Sequence, residues 1–155
     1  MSKLIIAIPR GRIIKELKPI LRKTSFAPEN EMFDDKSRKL TFLSKNKDIN
    51  FIKVRAFDAC TFVAFGAAQI GIAGEDVIKE YNYSEIYAPL ELNIGHCRLS
   101  VAALKTLLKK EDPETWSNIR VATKYPNITK KFFAAKGVQV EIIKKYNLLL
   151  MNLNY

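Results

Sequence analysis

In "AIPRGR", Arg10 and Arg12 flank Gly11 directly after an apolar run. Glycine lets a backbone approach a ligand closely, and a helix opening there would add its N-terminal field, so the triplet suits a bound anion. An ordinary turn with two solvated arginines accounts for it equally. In "KVRAFD", Arg55 closes a second apolar run. A guanidinium at such a place needs an acid or an anion. We read Arg55 as an anion contact and Asp58 as the cap of the following helix. In "GIAGED", Gly74 precedes Glu75 and Asp76. Asp76 suits ribose hydroxyls, although acids at a helix start need no ligand. In "ATKYPNIT", Thr123, Lys124, Asn127 and Thr129 gather hydroxyls, an ammonium and a helix start into a phosphate-binding rim. Capping alone explains Asn127.

No general-base constellation accompanies these groups. His96 is the one histidine, and Ser100 has no evident partner. Neither GxGxxG nor GxxxxGK[ST] occurs, which removes the dinucleotide fingerprint and the P-loop. Cys60 and Cys97 have neither disulfide-framework nor zinc-site spacing. Any catalysis therefore rests on charge clamping and positioning. The net charge of +10 is uneven. Residues 1–96 hold 15 Lys/Arg against 12 Asp/Glu, and residues 97–155 hold 11 against 4. That excess suits a polyanionic small molecule. With no helix-turn-helix or aromatic-interleaved basic stripe, nucleic acid is not expected. No apolar run reaches membrane-spanning length and the opening residues do not form a signal peptide, so a cytoplasmic chain is expected.

The elements that must position these residues alternate. "KLIIAIP" reads as a buried strand, and "RGRIIKELKPILRKT" as an amphipathic helix interrupted by Pro19. "SFAPENEMFDDKSR" is loop. "KLTFLS" and "INFIKVRA" form a hairpin across "KNKD". "FDACTFVAFGAA" predicts a buried helix, "QIGIAG" a strand and "EDVIKEYN" a short helix. "EIYAPLEL" and "CRLSVAAL" read as extended, and "KTLLKKEDPETWSN" as helix plus loop. "IRVATKYP" and "VQVEII" are strands around a helix "NITKKFFAAKG", capped by Asn127 and stopped at Gly137. This is an α/β pattern with a largely parallel sheet.

Taken together, "AIPRGRIIKELKPIL", "FDDKSRKL", "VRAFDACTFVAFGAAQIGIAGEDVI", "CRLSVA" and "IRVATKYPNITKKFFAAKGVQVEII" resemble the ATP phosphoribosyltransferase family in its short form, from about residue 3 to residue 143. The resemblance implies a two-lobed fold like a type II periplasmic binding protein, with the active site in the cleft. It implies a glycosyltransferase of the first step of histidine biosynthesis, in which N1 of ATP adenine attacks C1′ of phosphoribosyl pyrophosphate and pyrophosphate leaves with Mg²⁺. It assigns Arg38 and Arg55 to the catalytic handling of substrate phosphates and places Gly11 and Asp76 along the cleft; with the residue reading above, Arg10, Gly11, Arg12, Gly74, Asp76, Thr123 and Lys124 are the expected substrate-binding residues. It also implies a homodimer that joins a regulatory partner resembling histidyl-tRNA synthetase. A non-catalytic two-lobe module binding nucleotides or small anions is the alternative.

On this reading residues 1–96 form the first lobe, 97–143 an incomplete second lobe, and 144–155 a tail without family counterpart. Arg10 stands where many relatives have lysine, and Gln69 where many have aspartate. Where the family continues into a loop that binds the ribose 5-phosphate and a strand returning to the first lobe, this chain reads "KKYNLLLMNLNY". The expectation is a truncated chain with impaired catalysis.

Overall fold

The structure is a computed structural model that describes residues 3–110 and 112–144. The chain divides into two compact units, Met1–Cys97 and Arg98–Tyr155. Both mix helices with strands. Among the described residues no helix is long and apolar enough to cross a membrane.

The first unit runs β1 (Leu4–Pro9), α1 (Arg12–Arg22), β2 (Thr41–Leu43), β3 (Ile49–Val54), α2 (Ala56–Ala64), β4 (Ile70–Gly71) and α3 (Glu75–Tyr81). The sheet order is β2-β3-β1-β4, with β1 parallel to both neighbours and β2 antiparallel to β3. β1 can be central because it is apolar on both faces. Ile6 and Ile8 pack with Ile14, Leu17 and Leu21 of α1 and with Met32, Phe42 and Phe51. Ala7 faces the other way, with Val54, Ala59 of α2 and Ala68. The two helices thus cover opposite sheet faces. α1 continues through Pro19, which lies on its exposed side and lacks only one backbone donor. The buried stripe of Ile14, Leu17 and Leu21 holds the helix across that gap.

The hairpin forms as its pattern predicts, pairing Thr41 with Ile52 and Leu43 with Asn50. Other expectations need correction. The strand predicted at "QIGIAG" shrinks to Ile70–Gly71. α2 is half covered rather than buried all round: Ala59 and Cys60 are buried, while Phe65 at its end is 80 % exposed. The cause is the choice of packing face, since α2 lays its small side chains on the sheet. A Cβ added at Gly71 would stand 2.8 Å from Val63 Cγ2 and 3.3 Å from the Ala59 carbonyl oxygen. Asp58 does not cap α2. Arg55 holds that position, and Asp58 sits in the first turn, where the helix dipole still favours it.

In the second unit α4 (Lys105–Leu108) precedes β5 (Asn118–Thr123), α5 (Pro126–Ala134) and β6 (Gln139–Lys144). β5 and β6 pair in parallel, from Asn118 opposite Gln139 to Thr123 opposite Lys144, with α5 as the crossover. Tyr125 and Phe133 are its buried side chains. The expected cap is again displaced. Tyr125 is the N-cap of α5 because Pro126, with φ fixed and no N–H, suits the first helical position. Asn127 lies inside the helix. Gly137, at φ +71°, follows the helix end as expected. "EIYAPLEL" and "CRLSVAAL" join no ladder among the described residues. Apart from Lys144, which closes β6, the tail read at 144–155 lies outside the described residues.

Replacing Gly71 by alanine should force α2 off the sheet. We expect a loss of about 1–3 kcal/mol from overpacking. Urea denaturation would show it as a lower midpoint with an unchanged slope, and an unchanged midpoint would contradict the packing described.

Candidate functional site

The carboxyl ends of β1, β3 and β4 lie on one edge of the first sheet, because the three strands are parallel. Register decides what meets there. Pro9 pairs with Val54, and the Arg10 N–H donates to the Val54 carbonyl at 2.9 Å, so Arg10 is level with Arg55. Ala7 pairs with Gly71 and the Ile72 N–H donates to the Ala7 carbonyl at 2.9 Å, so the segment leading to Gly74 leaves β4 at this same edge. Thr41 pairs with Ile52 and the Lys53 N–H donates to the Leu40 carbonyl at 2.8 Å, so the loop that carries Arg38 enters β2 beside the carboxyl end of β3. In strand order, the segments at this edge carry the row Arg38, Arg55, Arg10 and Gly74.

The connections leaving β1 and β3 pass to opposite faces of the sheet, since α1 and α2 cover different faces. Adjacent strands whose connections diverge leave a crevice outside their carboxyl ends. Arg10 and Gly11 form one lip and Arg55 the other. Gly11, at φ 94° and ψ −142°, adopts a backbone conformation essentially reserved to glycine and starts α1 without a side-chain cap. A cavity of about 90 Å³ opens beside it, lined by Arg10, Gly11, Ile14, Asp35, Ser37 and Lys53.

The arginines of this unit divide sharply. Arg22 donates to the Asn30 carboxamide at 3.2 Å. Arg12 donates to the carbonyls of Gly95 and His96 at 3.2 and 3.4 Å, and its Nε lies 3.4 Å from Glu16. Glu16 in turn accepts the Gly95 N–H at 2.7 Å. Arg12, expected at the substrate, is thus engaged in fastening residues 95–96 to α1. The side chains of Arg10, Arg38 and Arg55 are exposed and have neither a hydrogen bond nor an ion pair among the described residues. The three guanidiniums left free are the three on the row.

Arg38 reaches the row from a loop without regular structure, yet the loop is well fastened. The Ser37 hydroxyl donates to Glu31 at 2.8 Å, and the Lys39 ammonium meets Glu29 at 2.6 Å. Glu29 also accepts the Leu43 N–H at 2.9 Å. These contacts, the lysine first, hold the Glu29 carboxyl below its ordinary range. Asp35, bridged to Lys15 at 2.9 Å, is lowered likewise by that lysine.

The remaining expected residues have mixed roles. The Asp76 carboxylate folds back over Gly74, where an added Cβ would overlap Oδ1. A side chain at 74 would need that carboxylate to turn aside. The Gln69 carboxamide accepts the Ile5 N–H at 2.8 Å, a sheet-edge role at the far end of β4. In the second unit, Thr123 Oγ1 accepts the Tyr125 N–H at 3.0 Å and shapes the turn before α5. Thr129 Oγ1 donates to the Tyr125 carbonyl at 2.7 Å. The Lys124 ammonium stands 4.9 Å from the centre of the Tyr125 ring. His96 and Ser100 are exposed, and burial pushes the Cys60 thiol up, away from nucleophilic use.

The family model described as "HisG: ATP phosphoribosyltransferase" matches residues 55–146. The chain belongs to the ATP phosphoribosyltransferase family. It is similar to the ATP phosphoribosyltransferase of Rhodospirillum rubrum, at 55 % identity over 143 residues, covering 92 % of this chain and 63 % of the relative. The same enzyme of Paramagnetospirillum magneticum is 54 % identical, covering 92 % and 65 %. Among solved structures, the ATP phosphoribosyl transferase (HisG:HisZ) complex from Thermotoga maritima matches with a TM-score of 0.58 and 26 % identity, over 93 % of this chain and 65 % of that one. The chain spans a little under two thirds of the length of these relatives.

Sequence reasoning missed Lys53 in this ATP phosphoribosyltransferase family member. It is 6 % exposed on the core side of β3 and lines the cavity beside Arg10. The signal was available: a lysine inside the apolar run "INFIKV" raises the same question as Arg55.

The lowered Glu29 carboxyl implies a pH dependence. Its stabilising contribution is present above the carboxyl's unfolded range and is lost as pH falls through the lowered value. Glu29→Gln should therefore destabilise at neutral pH, with the difference from the parent vanishing in acid. Denaturation midpoints across pH check this, and a difference independent of pH would refute it.

Proposed function

We propose that this chain supplies the catalytic lobes of an ATP phosphoribosyltransferase, built like a type II periplasmic binding protein and working in the cytoplasm. The reaction transfers the phosphoribosyl group of phosphoribosyl pyrophosphate to N1 of ATP adenine and releases pyrophosphate, the first step of histidine biosynthesis. The observation that carries this reading is the row Arg38–Arg55–Arg10, free guanidiniums at one sheet edge in a chain of this family.

Displacement at C1′ leaves positive charge on the ribosyl group and drives negative charge onto pyrophosphate. Guanidiniums hold phosphate oxygens bidentately, and those oxygens gain charge as the bond breaks. Arg38 and Arg55 are assigned that stabilisation. Arg10 and the Gly11 backbone orient the substrate phosphates, and Asp76 and Gly74 take the ribose side. Thr123 and Lys124 are assigned to phosphate contacts in the second unit, and Arg12 acts on the site through its hold on residues 95–96. Adenine N1 carries its own lone pair, so the catalysis is positioning and charge stabilisation.

Among the described residues no group of three His, Cys, Asp or Glu is placed to hold a metal. Mg²⁺ would be held chiefly by substrate phosphates, with Asp35 of the cavity or Asp76 as a protein carboxylate. The ion would supply neutralisation of the leaving pyrophosphate. We assign as partners a second copy of the chain and a regulatory subunit resembling histidyl-tRNA synthetase. The solved relative from Thermotoga maritima, a HisG:HisZ complex, supports a regulatory partner.

Pyrophosphate release from ATP, phosphoribosyl pyrophosphate and Mg²⁺ tests the reading. Arg38→Ala and Arg55→Ala should each lower turnover by about 10²-fold, the effect of losing one transition-state donor. Arg22→Ala, off the row and paired with Asn30, should leave it unchanged. Equal turnover in all three variants would sink the assignment. Binding of ATP and pyrophosphate without turnover would instead support the non-catalytic module.

A further inference from the structure

Lys53 is an ammonium placed where an apolar side chain would fit better. It lies on β3 beside the buried Phe51, with its Nζ 5.4 Å from the centre of the buried Phe42 ring. Among the described residues no carboxylate lies within 4.0 Å of it; the nearby Asp35 is bridged to Lys15. Burying a charge without a paired acid is unfavourable, so its hydrogen bonds must serve some purpose. The one hydrogen bond made by its ammonium goes to the Asp34 carbonyl, at 3.0 Å. Asp34 is the corner of the loop that carries Arg38. Its side chain accepts the Lys36 N–H at 2.8 Å, and its carbonyl accepts the Ser37 N–H at 3.4 Å.

The backbone of Lys53 holds the other end of the same loop, since its N–H donates to the Leu40 carbonyl at 2.8 Å. One residue of the central sheet therefore grips the loop on both sides of Arg38. The other side-chain ties of the loop, from Glu29 and Glu31 to Lys39 and Ser37 and from Lys15 to Asp35, are solvent-exposed contacts of modest strength. The Lys53 tie is part-buried, made by a lysine only 6 % exposed, and that lysine lines the cavity with Arg10, Gly11 and Ser37.

Resting on the reading of the row as a phosphate site, we propose that Lys53 is a positioning residue for Arg38. Its ammonium anchors residues 34–39 to the sheet and so presents the Arg38 guanidinium at the edge that carries Arg55. Lys53 acts on bound pyrophosphate through Arg38 rather than by its own contact.

The test uses the full chain with inorganic pyrophosphate and Mg²⁺ as the probe. Lys53→Met keeps the aliphatic stem and removes the donors. It should weaken pyrophosphate binding by about tenfold or more, as Arg38→Ala does, with a charge-assisted hydrogen bond as the scale. The double variant should bind no more weakly than Arg38→Ala alone, because the two changes remove one interaction. Lys53→Arg, which keeps a donor, should restore most of the affinity. Amide exchange of residues 36–39 should speed up at least tenfold in Lys53→Met, while that of β1 and α1 stays at the parent rate. Losses that multiply in the double variant would show an independent charge effect and overturn the proposal. If the parent chain binds no pyrophosphate, the reading of the row falls. The loop exchange still decides Lys53, and an unchanged rate in Lys53→Met overturns its anchoring role.

Discussion

β1 is hydrogen-bonded on both edges and buried on both faces, so its register has no freedom to slip. A shift of one residue would turn Ile6 and Ile8 away from α1 and drive Ala7 into a space shaped for isoleucine. Everything at the carboxyl edge inherits that constraint. Arg10 and Arg55 are level because Pro9 is locked to Val54, and the segment leading to Gly74 starts from the same edge because Ala7 is locked to Gly71. Three like charges on one edge repel, and the unit tolerates this because the strands beneath them are fixed by apolar packing rather than by the arginines themselves. An anion bound at the proposed site would relieve that repulsion without reorganising the backbone.

The same packing explains why the site's apparent redundancy is deceptive. Arg10 and Arg12 are two residues apart and look equivalent in the chain. The turn at Gly11 sends one to the edge and the other onto the first turn of α1, where Glu16 and the carbonyls of Gly95 and His96 take it up. At Gly74 the Asp76 carboxylate occupies the volume a side chain would take, and would have to turn aside for one. Gly71, by contrast, serves the fold alone, letting α2 close onto β4.

The stretch "FVAFGAAQIGIAGEDVI" contains this division within itself. Its small residues pack α2 against the sheet, and its acidic end starts α3 at the edge. Its periodicity was legible, but the exposure of Phe65 was not, because an apolar sequence does not say which of its faces a neighbour will cover. The caps failed for a related reason. Asp58 and Asn127 are good capping residues, but the boundary of each helix was set by the strand end before it and by Pro126, leaving both residues inside the first turn.

By itself the sequence determined the alternation of strands and helices, the hairpin, and the placing of Arg10, Arg55 and Gly74 just past strand ends, because hydrophobic period and turn chemistry are local properties. It also carried the family resemblance, which the comparisons bear out. Only the tertiary structure decided that Arg38, Arg55 and Arg10 share one row, that Arg12 leaves it, and that a buried lysine grips the loop bearing Arg38. Those facts depend on pairing between residues far apart in the chain. Strand register and side-chain competition for partners settle such pairing, and neither is written in local spacing.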